Sequence, residues 1–329
     1  MASLTDDSRV TQTSSHTYTA DFPLHWCIGS VPHGGFVTTC FLRVASLHFN
    51  TTLSRQNQPD PTTLHLTFIR RTAVGPASFT VTDTKLGRGT STIHIALRQH
   101  DSDLVVGYLT HTNLSSTTGV SYSTSWTLSP PTPSVSLPAL AAGRDAHWAL
   151  RKTMPFSSFR RASNHLAFHF PRKGQADASI ADQWIRFRNP AQRFTNTTLG
   201  YVVDMFPQVT EVMRTWPNDQ YAIATEEAQE SKSAEAVRNE EKQSADAKFW
   251  YPTVLLNLDV KKKIPDEGVE WLFVRTRPKV VKDGRFDLEV IVMDEAGEIV
   301  ALSHHVCMIL SAGRNLAGRG DKKGTKSKM

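Results

Sequence analysis

Cysteine is scarce in this chain. Three residues in 329, Cys27, Cys40 and Cys307, are too few and too scattered for a disulfide framework or a zinc site, and no metal site is expected. All three read as small buried apolar residues. Cys307 lies beside histidines, and in a strand it shares a face with His305 but not with His304, a faint nucleophile signal. Also missing is any apolar run near the roughly 20 residues that cross a bilayer. Residues 1–7 have neither the basic nor the apolar region of a signal peptide. These absences lead us to expect a soluble intracellular protein without a membrane partner.

A broad basic face is lacking as well. The formal charge is +6, but six basic residues and one acidic residue fall between positions 311 and 329. The rest of the chain is therefore nearly neutral, which argues against a phosphate-binding surface and a nucleic-acid partner. Hydrophobic residues make up 39%, enough for substantial cores in two domains.

What the chain does contain is a repetition. Gly35-Phe36-Val37-Thr38-Thr39-Cys40-Phe41 is answered by Gly200-Tyr201-Val202-Val203-Asp204-Met205-Phe206, at an offset of 165. The string from Thr63 to Arg71 is answered from Leu255 to Lys263, at 192. Val106-Gly107-Tyr108-Leu109-Thr110-His111 is answered by Val300-Ala301-Leu302-Ser303-His304-His305, at 194. Two copies of one unit are implied, with an insertion in the second. Thr39 aligns with Asp204, so a base carried by the second copy has no counterpart in the first and a single active centre is expected.

Residues 1–20 are rich in Ser and Thr and read as a flexible terminus. Residues 21–114 form the first unit. Phe36, Val37, Cys40, Phe41, Val44, Ala45 and Leu47 have the spacing of a buried helix. Gly34-Gly35 before it would let a ligand approach bare amides at a helix start. Alternating segments follow, broken at Gly75-Pro76, Gly87-Arg88-Gly89 and Asp101-Ser102-Asp103. A Ser/Pro-rich linker, 115–145, reads as extended and exposed. The second unit, 146–310, has its helix from Thr198 to about Met213 and a charged insertion at 226–248 that reads as solvated. A basic tail closes the chain at 311–329. A helix followed by antiparallel strands is an α+β pattern in which a sheet wraps the helix.

This order resembles the double-hotdog acyl-CoA thioesterases of the thioesterase II type, and especially their thioesterase-like relatives in fungi. In the first half the likeness rests on the string from Trp26 to Phe36, on Phe68-Ile69-Arg70-Arg71, on Val74-Gly75-Pro76, and on Leu86 to Ser91. In the second it rests on Leu199-Gly200-Tyr201-Val202-Val203-Asp204, Glu270-Trp271-Leu272, and Gly297-Glu298-Ile299-Val300-Ala301. It covers about residues 22–114 and 180–310. The resemblance implies an α+β double hotdog, two long helices each wrapped by antiparallel sheet, and an acyl thioester or other hydrophobic small-molecule substrate, with no cofactor.

In the hydrolytic members a helix Asp, a Ser or Thr on the following strand and a Gln on the last strand hold the attacking water. Asp204 matches the Asp. The strand position falls near Asn257 and the Gln position near His305, so the expected catalytic group is Asp204, Asn257 and His305. His33, Gly34, Gly35 and Gly200 are the expected substrate-binding residues. Asp204 interrupts an apolar run, which favours function over a surface carboxylate. His305 and His111 match across the repeat, so both also read as packing residues at a pseudo-two-fold interface. Two departures from the pattern keep other readings open. One is a fungal biosynthetic enzyme catalysing dehydration, cyclisation or condensation, and another is a silent acyl-binding protein. Ser327-Lys328-Met329 is similar to the Ser-Lys-Leu peroxisomal address, so a peroxisomal location is expected, with cytoplasm as the alternative. Self-association through a sheet or helix face is a further expectation.

Overall fold

A computed structural model describes residues 2–116, 118–152, 154–206, 209–215 and 247–317. The expected solvated insertion, apart from its last two residues, and the C-terminal tripeptide lie outside the described residues. Among the described residues no helix is long and apolar enough to cross a membrane.

The repeat becomes a palindromic sheet. In chain order its strands are β1 (Thr11–Ser14), β2 (Thr17–Phe22), β3 (Asp60–Phe68), β4 (Gly75–Lys85), β5 (Ser91–Gln99) and β6 (Ser102–Thr112) in the first half. The second half supplies β7 (Trp148–Leu150), β8 (Leu166–Pro171), β9 (Ala181–Phe187), β10 (Thr253–Val260), β11 (Leu272–Arg277), β12 (Arg285–Met293) and β13 (Ile299–Met308). Across the sheet they run β1-β2-β4-β5-β6-β3-β10-β13-β12-β11-β9-β8-β7. Outward from the β3–β10 junction, β6, β5, β4, β2 and β1 of the first half hold the places that β13, β12, β11, β9 and β8 hold in the second, and β7 adds one strand at the far edge. The junction is antiparallel, with His65 opposite Asn257 and Leu66 opposite Leu256.

Helix α1 (Gly34–Asn50) and the shorter α2 (Leu199–Val203) pack together beneath this sheet. Strand alternation points Leu64, Leu66, Ile93, Ile95, Leu256, Leu258, Leu288 and Val290 at the helices, all of them buried. Gly35 and Gly200 are where the helices touch. A Cβ on Gly35 would lie 2.8 Å from the Gly200 carbonyl oxygen, and one on Gly200 2.9 Å from the Thr39 amide nitrogen. Only glycine permits that backbone approach.

Three expectations change. The N-terminus is not frayed: β1 and β2 extend the sheet, and Leu4, Tyr18 and Phe22 are fully buried. Threonine is a good strand former, and the alternation from Thr17 to Phe22 buries one face. The second long helix is not continuous. α2 ends at Val203, Asp204 is its C-cap, and α3 (Val209–Thr215) resumes later. The sequence carries a proline at 207, a residue type that has no N–H to donate and disfavours a helical residue before it. The linker is only partly exposed. Leu128, Val135 and Leu137 pack against a second cluster containing Trp148, Trp184, Trp271 and Phe273, and Arg275 donates to the Pro130 carbonyl at 2.7 Å.

Candidate active site

A cavity of ≈ 230 Å³ opens between the two units. Its walls are mostly apolar, with Ile28, Val31, Phe68, Phe159, Met205 and Met308. Its polar floor is formed by His33, Gly34, Asp204 and Thr253. Arg70 and Arg71 also line it. Arg160, on the same wall, pairs with Glu211 at 2.8 Å, and Tyr251 donates to that carboxylate at 2.7 Å.

Asp204 is 3% exposed, and a buried carboxylate needs partners. Because it caps α2 instead of continuing it, its side chain turns towards the start of α1. A Cβ on Gly34 would lie 2.7 Å from Asp204 Oδ2, so only a residue without a side chain lets the carboxylate approach that helix terminus. The first amides of a helix lack intrahelical partners and favour negative charge. Thr253 donates its hydroxyl to Oδ1 at 2.8 Å. His33 Nε2 lies 3.4 Å from Oδ2, and donates to the Asp204 backbone oxygen at 3.0 Å. Burial alone would raise the Asp204 pKa, but the adjacent His33 and His305 and the Thr253 hydroxyl outweigh it and hold the carboxyl below its ordinary value. Burial pushes His33 the other way, lowering its pKa despite the neighbouring carboxylate. Its Nδ1 has no hydrogen-bond partner, so a neutral His33 presents an unengaged acceptor.

His305 stands behind Asp204 and does not line the cavity. It is fully buried, with Nδ1 3.5 Å from Asp204 Oδ1. On its other side Nε2 lies 2.9 Å from Ser303 Oγ. Ser303 gives its single proton to the Asn257 carbonyl, so its oxygen can only accept, and His305 Nε2 must be the donor. The Ser303 hydroxyl therefore fixes Nε2 as a proton-bearing nitrogen, while Nδ1, which has no hydrogen-bond partner, faces the carboxylate. The place of His305 behind the carboxylate suits a positioning role through Asp204.

Asn257 is not in this group. It points to the outer face of the sheet, where its Oδ1 is 2.6 Å from His65 Nδ1. Thr253, four residues earlier, takes the place expected of it. A bulge between Thr253 and Leu255 reverses the alternation, so Thr253 faces Asp204 although Leu256, Leu258 and Val260 face the core. A hydroxyl residue near the start of that strand was the available signal, and the bulge concealed its direction. Of the expected substrate-binding residues, His33 and Gly34 line the cavity. Gly35 and Gly200 are instead the helix–helix contact described above. The first half has no equivalent centre: Thr39 donates to the Gly35 carbonyl, and His111 is buried and stacked on Phe49 with centroids 4.2 Å apart.

In comparisons with known proteins, two family models match successive parts of the chain. The family model of the acyl-CoA thioesterase N-terminal domain matches residues 22–112, and that of the C-terminal domain matches 130–309. The thioesterase-like protein TwmA of Talaromyces wortmannii is 37% identical over 346 residues, covering 98% of this chain and 96% of its own. Among solved structures, a putative thioesterase II from Thermobifida fusca superposes with a TM-score of 0.65 at 17% identity, covering 94% of this chain and 98% of its own. A hot dog protein from Alicyclobacillus acidocaldarius reaches 0.68 at 13%, covering 94% and 99%. These two likenesses carry the fold.

Proposed function

This chain belongs to the acyl-CoA thioesterase family, and from that premise we propose that it hydrolyses an acyl thioester with Asp204 as the base that activates water. The observation that carries this reading is the buried carboxylate on the cavity floor, held below its ordinary pKa and braced by the Thr253 hydroxyl at 2.8 Å. Water held by Asp204 gives up a proton to the carboxylate as its oxygen attacks the thioester carbonyl. The carbonyl oxygen gains negative charge, which the amides at the start of α1 are suited to stabilise. Collapse breaks the C–S bond, and the thiolate leaves and takes up a proton. The apolar walls would receive a fatty-acyl or polyketide-like chain. Arg70 and Arg71 suit the phosphates of a coenzyme A or phosphopantetheine carrier.

A second reading keeps the same residues and changes the reaction. His33 Nδ1 could take a proton from the carbon beside a thioester carbonyl while Asp204 protonates a departing hydroxyl, a dehydration. That route needs a protonated Asp204, and the carboxyl is held below its ordinary value. Hydrolysis, where Asp204 starts as the base, fits better.

The test is release of free thiol from a panel of acyl-CoAs by wild type and Asp204→Asn. Turnover by the wild type that falls by about 10²- to 10⁴-fold in the variant supports hydrolysis with this base. An inert wild type that converts a β-hydroxyacyl thioester to an alkene would favour dehydration. Saturable acyl binding without turnover would leave a binding protein.

A further inference from the structure

At the opposite end of α1 from the cavity, three side chains far apart in sequence converge. His16 comes from the β1–β2 turn, His48 from the last turn of α1, and Asp83 from β4. The Nε2 atoms of both histidines face the one carboxylate: His48 lies 2.9 Å from Asp83 Oδ1, and His16 3.2 Å from Oδ2. The candidate ligating atoms all lie within 4.8 Å of one another. Bonds of about 2.0–2.2 Å around a tetrahedral zinc ion place ligand atoms about 3.3–3.6 Å apart. A small contraction around an ion would therefore bring all three into its coordination sphere.

The surroundings of both rings suit that use. Each Nδ1 is engaged by a hydroxyl, Tyr18 for His48 at 2.8 Å and Ser15 for His16 at 2.9 Å. Metal-bound imidazoles characteristically have the second nitrogen held in this way. A hydroxyl both donates and accepts, whereas a carbonyl only accepts. Without metal, each Nε2–H donates to Asp83 and each Nδ1 accepts from its hydroxyl. With metal, Nε2 gives its lone pair to the ion and Nδ1–H donates to the same hydroxyl. The Tyr18 proton displaced by that reversal can turn to the Ser15 carbonyl, 3.4 Å away. His48 is fully buried, while the side chain of His16 is 40% exposed, which leaves a route for an ion and for a water as fourth ligand.

We propose that His16, His48 and Asp83 form a site for a divalent transition-metal ion, with zinc as the probe, that ties the N-terminal hairpin to α1 and β4. Two imidazoles and a carboxylate are a donor set suited to zinc. The site is structural and separate from Asp204, because His48 lies about 20 Å along α1 from Gly34 at 1.5 Å per residue. Sequence patterns miss it because each ligand comes from a different element and none stands in a ligand-spaced motif. The three cysteines are buried elsewhere and do not take part.

The experiment is titration of the full chain, stripped with chelator, with zinc chloride, followed by calorimetry and thermal unfolding. Wild type is expected to bind one equivalent and to gain thermal stability as it does so. His16→Ala changes a partly exposed residue and should fold. It is expected to bind at least about tenfold more weakly, the scale reached even by loss of an outer partner, and to gain no stability from zinc. Asp83→Asn should behave likewise, while Asp204→Asn should bind as wild type does. Failure of the wild type to take up one equivalent would overturn the proposal, leaving a hydrogen-bonded triad only. Undiminished binding by His16→Ala, or loss of binding in Asp204→Asn, would overturn it too, by moving the ion elsewhere.

Discussion

Thr253 donates its hydroxyl to Asp204 Oδ1 at 2.8 Å across the cavity floor, joining the start of β10 to the cap of α2. A hydrogen bond to a charged group is worth about 1.5–3 kcal/mol. Thr253→Val removes it with little change in volume. Thiol release should fall by about 10- to 100-fold at 1.36 kcal/mol per tenfold, while Thr253→Ser should keep most of the activity.

His305 acts from behind the carboxylate, so its loss should appear in kcat and spare KM. His305→Leu is expected to lower kcat by up to about 100-fold, the scale of a small misplacement of a reacting group. His305→Gln, which keeps a polar group facing Asp204, should recover much of it. Steady-state kinetics on one acyl-CoA separates the two parameters, and a change confined to KM would contradict the positioning role.

Asn257 and His65 meet on the outer face, away from the cavity. Asn257→Ala should leave turnover near the wild-type value. Its cost to stability should stay near the ~1 kcal/mol of an ordinary hydrogen bond, measurable by urea unfolding.

Gly200 is the point where the helices touch. Gly200→Ala gains up to about 1 kcal/mol of helix propensity, but its Cβ would press on α1 backbone at 2.9 Å. Overpacking costs about 1–3 kcal/mol. A net fall in Tm is expected, without a selective effect on KM.

Acid should destabilise the fold well before carboxylates titrate. Burial lowers His111 to about 3 and His169 to about 4, while the unfolded chain titrates near 6.5. Below 6.5 the unfolded state binds more protons, so stability falls as pH falls. The stabilisation is complete above the unfolded value and is lost progressively down to the folded one. Between pH 7 and pH 5 each histidine should cost about 2 kcal/mol. Urea midpoints at the two pH values test this, and His111→Gln should reduce the difference.

Much of the architecture was legible because its signals are local. The apolar spacing of residues 36–49 marks α1, and alternation marks β3 to β6 and β10 to β13. His65 and Asn257, equivalent positions of the repeat, face each other across the junction. Asp204 stood out as a charge in an apolar run and is the carboxylate on the cavity floor. The errors have local causes of another kind. Ser/Thr richness at the N-terminus suggested fraying, although threonine also builds strands. Periodicity carried the second helix past Asp204, because the pattern of apolar residues continues where the backbone does not.

The sequence by itself determined that two copies of one helix-and-strand unit exist, since backbone propensity and side-chain alternation depend on near neighbours. It also determined that the second copy alone bears a carboxylate at the matched helix position. Only the tertiary structure decided what surrounds that carboxylate. His33 and Asp204 stand 171 positions apart, and no spacing rule links them. One bulge turns Thr253 inward, and the unbroken alternation after it leaves Asn257 outside. Inside and outside on a strand are separated by a single residue of register, and that phase is set by pairing across the sheet.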